Sequence, residues 1–312
     1  MVAVVDKTFT LHDPSVWTPT ATVLDVVSAI AAEIGLHGGT WSVVDDDVVS
    51  TNGRQILLES SDPDMAGVKI PIFGGVSPNA ANVASTANNA SIYAGLHINH
   101  AADAFDANFD ASQTLTGPGW VPAQAWLGSV TYNGFTANKI RLLTKGDLIV
   151  IAIYDDTDAA PLGWVAAGCI GRTFTGQQIL GVIGTGSATH PTNAWSTNGA
   201  PSYDPGPPLS ASGMRAWVPD AAAAKGVARL WQAILPGPLA VMTDRAGTGY
   251  FRGDIPIHDS DNYMIGYLQQ MRFGRKASLF VPFVADSGQT YIPIAAGVGT
   301  AQDALWFVQP AP

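Results

Sequence analysis

The chain has 312 residues, a net charge of −10 and charged side chains at only 13% of positions, about half the usual globular share. Apolar residues make up 47%, which excludes a disordered chain, and the 15 Lys and Arg are scattered, adjacent only at Arg275-Lys276, which excludes a basic stripe for a phosphate backbone. The expected partners therefore include no nucleic acid, and a weakly charged surface with nine Trp suits a subunit covered by its neighbours.

The N-terminal residues MVAVVDKTFTLHD lack a cationic segment followed by a long apolar one, so no signal peptide is evident. Synthesis in a cytoplasm, without a secretory signal, is expected. No apolar run approaches the roughly 20 residues of a membrane helix, so no membrane insertion is expected. Thr18 and Pro19 then open the clearest helix. Val23, Val26, Val27, Ile30 and Ile34 recur at helical spacing, and Gly38 and Gly39 close it. Valine is a poor helix former, so this helix needs a sheet to pack on. Residues 41–44, 55–59 and 68–73 read as strands, with Asp45, Asp46 and Asp47 as an exposed turn between the first two.

From Gly74 to Gly119 small polar residues dominate, as in Ala87-Asn88-Asn89-Ala90, and only residues 92–98 have strand character. A meander follows over 126–132, 139–143, 147–154 and 163–170, with Lys145-Gly146-Asp147 as a hairpin turn. Residues 185–213 carry many Pro and Gly and no periodicity. So long a structureless tract reads as a linker or as an arm laid over a partner. It divides the chain into an N-terminal helix plus β-meander domain (1–184), the tract itself, and a C-terminal helix plus antiparallel β unit (214–312). Asp220 caps a second expected helix, with Val227, Leu230, Trp231 and Ile234 on one face and Pro236-Gly237 closing it.

The last part is the best organised. Residues 277–285, 290–295 and 304–308 are strand-like, separated by Asp286-Ser287-Gly288 and Gly297-Val298-Gly299, and Gln270–Gly274 alternates and stops at glycine. Pro282 lacks a ladder donor, so its segment belongs at an edge or a bulge. The fold class expected is mainly β (α+β), with antiparallel sheets or sandwich-like units and two helices packed on them.

The strongest polar constellation is His97 and His100 with Asp103, Asp106 and Asp110. Residues 92–98 read as a strand, however, which points the two histidines to opposite faces, so an ordinary polar loop is expected and no metal site. The Asp-rich stretches 45–47, 62–64 and 155–158 lack the spacing of a calcium loop and read as solvated turns. Gly181-Val182-Ile183-Gly184-Thr185-Gly186 lacks the Lys-Ser/Thr ending of a phosphate loop and reads as a glycine-punctuated strand and turn. Cys169 stands alone in the apolar run 164–170, so an inert thiol is expected and no disulfide within the chain. No catalytic residues, no cofactor and no enzymatic activity are expected. Trp120, Trp126, Trp195 and Tyr203 are the aromatic candidates for an interface or a glycan contact.

The stretch Gln270-Met271-Arg272-Phe273-Gly274, followed by the terminal Leu305-Trp306-Phe307, resembles the ending of virion structural proteins of tailed bacteriophages. The N-terminal helix, the Trp strand after it and the stretch Gly74-Gly75-Val76-Ser77-Pro78-Asn79-Ala80-Ala81 are similar to the same group. The resemblance implies a non-enzymatic structural role in the virion, associated with tail, baseplate or neck, with copies of itself and other virion proteins as partners. The alternative is a carbohydrate-binding receptor-recognition protein of the virion that contacts host surface glycan.

Overall fold

The computed structural model describes residues 5–10, 23–50, 53–75, 89–94, 125–131, 137–155, 161–176 and 178–184. Beyond them it describes strand residues 215–217, 229–230, 244–246, 249–251, 256–258, 264–268, 271–274, 283–284, 290–296 and 305–308. These residues are mostly β, and all of their strand pairs are antiparallel.

After β1 (Val5–Thr10) the helix α1 (Val23–His37) carries Val27, Ile30 and Ile34 on one face, and all three are buried. The expected caps Thr18 and Pro19 lie outside the described residues. The helix stops where the sequence places the stop. The Gly38 amide donates to the Ile34 carbonyl at 2.7 Å, and Gly39 takes a φ of +66°, the left-handed conformation that glycine adopts without strain. The chain then turns into β2 (Trp41–Ser50), β3 (Gly53–Ser60) and β4 (Lys69–Gly75), and β5 (Asn89–Ala94) and β6 (Ala125–Thr131) complete a five-stranded sheet in sequence order.

The meander is β7 (Ala137–Lys145), β8 (Leu148–Asp155), β9 (Pro161–Thr173) and β10 (Gln178–Gly184). It forms the centre of a nine-stranded sheet, with β1 on the outer edge of β7. The same sheet takes strands from beyond the 185–213 tract. Arg215–Trp217 pairs with β10, Met264–Leu268 with β9, Pro256–His258 with Met264–Leu268, and Arg229–Leu230 with Pro256–His258. A third, six-stranded sheet takes Asp244–Ala246, Gly249–Phe251, Met271–Gly274, Leu305–Val308, Thr290–Ala296 and Phe283–Val284 in that order. Phe283–Val284, next to Pro282, lies at its edge, where a missing ladder donor is tolerated.

One core joins α1, the five-stranded sheet and the meander. Val27, Ile30 and Ile34 meet Trp41, Ile56, Leu58, Ile70 and Ile72 from one side and Ile140, Leu142, Ile149, Ile151 and Val165 from the other. The meander is buried on its second face as well: Leu143, Leu148, Val150, Ala152, Ala166, Ile170 and Ile179 are each at most 2% exposed. This explains the unbroken apolar run from Leu148 to Ala152. A strand covered on both faces has no reason to alternate.

Three sequence expectations change. Asp45, Asp46 and Asp47 are not a turn but lie within β2, opposite Leu57, Ile56 and Gln55. They sit on the edge strand of the five-stranded sheet, where charge discourages pairing with another chain, and bulges at Val43/Asp45 and Val48/Ser50 twist the same edge. Asn89 and Ala90, read as part of a loop, begin β5 opposite Thr131 and Val130. In the stretch of the second expected helix, the two described residues, Arg229 and Leu230, pair as a strand with His258 and Ile257. Among the described residues α1 is the one α-helix. The tract 185–213 lies outside the described residues.

Candidate functional site

Polar chemistry in the described residues is concentrated at a clamp between the two sheets and at four cross-element ion pairs. The clamp forms where the β7–β8 turn meets the start of β2 and the end of β3. The Trp41 indole Nε1 donates to the Lys145 carbonyl at 2.7 Å, and the Thr40 hydroxyl reaches the Gly146 carbonyl at 3.4 Å. Ser60 Oγ also donates to the Gly146 carbonyl. On the other side of the turn, the Cys169 amide donates to the Asp147 carbonyl at 2.7 Å. The carbonyls of the β7–β8 hairpin thereby gain partners from β2, β3 and β9, as buried backbone groups require.

Two ion pairs involve cations withdrawn from solvent. The Arg141 side chain, 2% exposed, donates from Nε to Asp6 Oδ1 at 2.9 Å and from Nη2 to Asp6 Oδ2 at 2.6 Å. Lys69, equally buried, meets Glu59 at 2.8 Å, directly across the β3–β4 ladder. The other two are nearer solvent. Arg54 donates to Asp46 at 2.7 Å and to the hydroxyl of Ser28 on α1, tying the helix to the sheet. Its hydrogen bond with Asp46 raises the Arg54 pKa further, against the opposing effect of burial. Arg172 at the end of β9 reaches Asp64 at 3.2 Å. Asp64 follows Asp62, whose side chain caps a short 3₁₀ turn, Pro63–Met65, by accepting from the Asp64 amide at 3.0 Å.

These arrangements brace structure. Each cation faces a carboxylate of the chain, and bidentate Arg–carboxylate geometry fixes orientation as well as charge. Cys169 is buried in the shared core, and desolvation, assisted by Asp147 and opposed by Arg172, pushes its pKa up to about 12. The thiol stays protonated near neutrality and is a poor nucleophile. Among the described residues no three His, Cys, Asp or Glu side chains are grouped to hold a metal ion, and no helix is long and apolar enough to cross a membrane.

Trp126 lies on β6, opposite Tyr93 of β5. Trp120, Trp195 and Tyr203 lie outside the described residues, as do His97, His100, Asp103, Asp106 and Asp110. Gly181 to Gly184 fall within β10, paired to β9. Sequence reasoning missed the Asp6–Arg141 and Lys69–Glu59 pairs. The first joins residues 135 apart and has no local signal. The second follows once the β3–β4 register is known, because Glu59 and Lys69 are then directly opposed. No protein-family model and no curated protein matches this sequence.

Proposed function

We propose that the chain is a non-enzymatic structural subunit of a tailed-phage virion, associated with tail, baseplate or neck, that acts through contacts with copies of itself and with other virion proteins. The observation that carries this reading is the pairing of the two C-terminal motifs. Met271, Arg272, Phe273 and Gly274 lie directly opposite Val308, Phe307, Trp306 and Leu305. Two short stretches that resemble virion proteins, some thirty residues apart, are thus neighbouring strands of one sheet and form a single element. The sparse charge of the chain supports the same reading, since a surface finished by neighbours needs few charges. So does the engagement of Arg54, Lys69, Arg141 and Arg172 with carboxylates of the chain itself, which directs their charge to bracing.

Light scattering coupled to size-exclusion chromatography tests the reading on the purified chain. The expected mass is a multiple of the 32.5 kDa protomer, stable on dilution. A monodisperse monomer at high concentration would count against it. If that monomer also showed a change in Trp fluorescence on adding host polysaccharide, the carbohydrate-binding alternative would replace it.

A further inference from the structure

The geometry points to β1 as an exchangeable strand: in the assembled state the outer edge of β7 is occupied by β1 of a second copy of this chain. The inference rests on the assembly reading above and names the contact through which copies join. Its starting point is an imbalance between the two strands. β7 is buried over its central residues, with Ile140, Arg141, Leu142, Leu143 and Thr144 each at most 2% exposed. β1 pairs with β7 alone, at the end of the sheet, over six consecutive residues from Val5↔Thr144 to Thr10↔Lys139. Its described side chains, residues 5–8, are half-buried or exposed, and none belongs to the shared core.

Residues 5–8 of β1 are therefore held by ladder hydrogen bonds and by the Asp6–Arg141 pair rather than by core packing. Segments bound in this way open locally at far lower cost than core strands. The acceptor it covers is specific, since it offers an open strand edge together with a buried guanidinium that takes a carboxylate at the Asp6 position. A neighbour's β1 restores every one of these contacts, so exchange costs no interaction. It trades an intramolecular closure for an intermolecular one, which a high local concentration of subunits favours. Residues 11–22 join β1 to α1. Twelve residues can extend at most about 40 Å, which bounds the distance over which β1 can be exchanged.

The test uses the full chain in its oligomeric form. Val5 and Thr144 are register partners, and Thr144 Oγ1 has no hydrogen-bond partner among the described residues, so cysteine at these positions removes little. One preparation carries Val5→Cys and another Thr144→Cys, and the two are unfolded together, refolded and oxidised. Exchange predicts a disulfide-linked dimer containing one chain of each kind. It also predicts covalent chains of more than one protomer from the Val5→Cys/Thr144→Cys double variant. Cross-linking of the double variant only within single chains, in an oligomer of normal mass, would overturn exchange while leaving the assembly reading intact. A monomeric wild-type chain would remove both.

If neither arrangement cross-links, a synthetic peptide of residues 1–10 decides. Exchange predicts that excess peptide converts the oligomer to smaller species. The same peptide with Asp6→Ala should need at least a tenfold higher concentration. No change in mass with saturating peptide would overturn the proposal.

Discussion

Replacing Trp41 with alanine is expected to lower the unfolding free energy by about 3–5 kcal/mol, the range for truncating a large buried aromatic. Trp41 is 2% exposed and belongs to the core shared by α1, the five-stranded sheet and the meander. It also makes the 2.7 Å hydrogen bond to the Lys145 carbonyl that pins the β7–β8 turn to β2. The alanine variant loses both contributions, and phenylalanine separates them. Trp41→Phe keeps most of the apolar volume but leaves that carbonyl without its indole donor, a loss of about 1–3 kcal/mol. Denaturant unfolding of the three proteins measures the difference. A phenylalanine variant as unstable as the alanine variant would place the whole effect in the hydrogen bond. An alanine variant within 1 kcal/mol of the parent, on the order of the mean effect of any substitution, would show that Trp41 does not join the sheets.

A second large loss is expected at Gly168. This residue adopts φ +124° within β9, in a region that L side chains rarely enter. An added Cβ would overlap the Asp147 carbonyl and come within 3.2 Å of the Leu148 Cα. Neither neighbour can move freely, because Asp147 O accepts from the Cys169 amide and Leu148 is the residue paired with Gly168. The backbone strain alone is worth about 1–3 kcal/mol, and the overlap adds to it. Gly168→Ala is expected to lose at least about 3 kcal/mol or to fail to fold. Gly35, inside α1 with open space around its Cβ position, provides the control. Gly35→Ala should be neutral or stabilising, by up to about 1 kcal/mol. Equal behaviour of the two variants in thermal unfolding would contradict the backbone geometry assigned to Gly168.

What could be read from the sequence follows from where the physical signal is local. The helix was legible because Val27, Ile30 and Ile34 repeat at the helical period and Gly38-Gly39 supply the stop. The meander was legible because its apolar runs are broken by short polar turns such as Lys145-Gly146-Asp147. The Asp triplet misled because three successive carboxylates fit a solvated turn, and nothing nearby shows that an edge strand uses them to guard its open side. Residues 229–230 misled in the opposite way. An apolar face at helical spacing surrounds them, and their pairing with residues 257–258 is a long-range contact that no local pattern encodes. The same reason hid the joining of Met264–Leu268 to β9 and the Asp6–Arg141 pair. The strands 271–274, 290–296 and 305–308 were legible because turn residues punctuate them, although which strand lies beside which emerges only from the register. Of the expected strand 277–285 only residues 283–284 lie among the described ones, and the strands between 244 and 268 carried no clear local signal.

The claim that this chain is a virion part is tested most directly by the composition of the particle itself. Virions purified from a lysate of the host that carries this gene, washed at high salt and analysed by quantitative mass spectrometry, should contain the chain in several copies per particle. Its amount should remain constant relative to the other virion proteins through repeated sedimentation. A chain recovered only from the particle-free supernatant, or lost from the particles on washing, would contradict the structural reading.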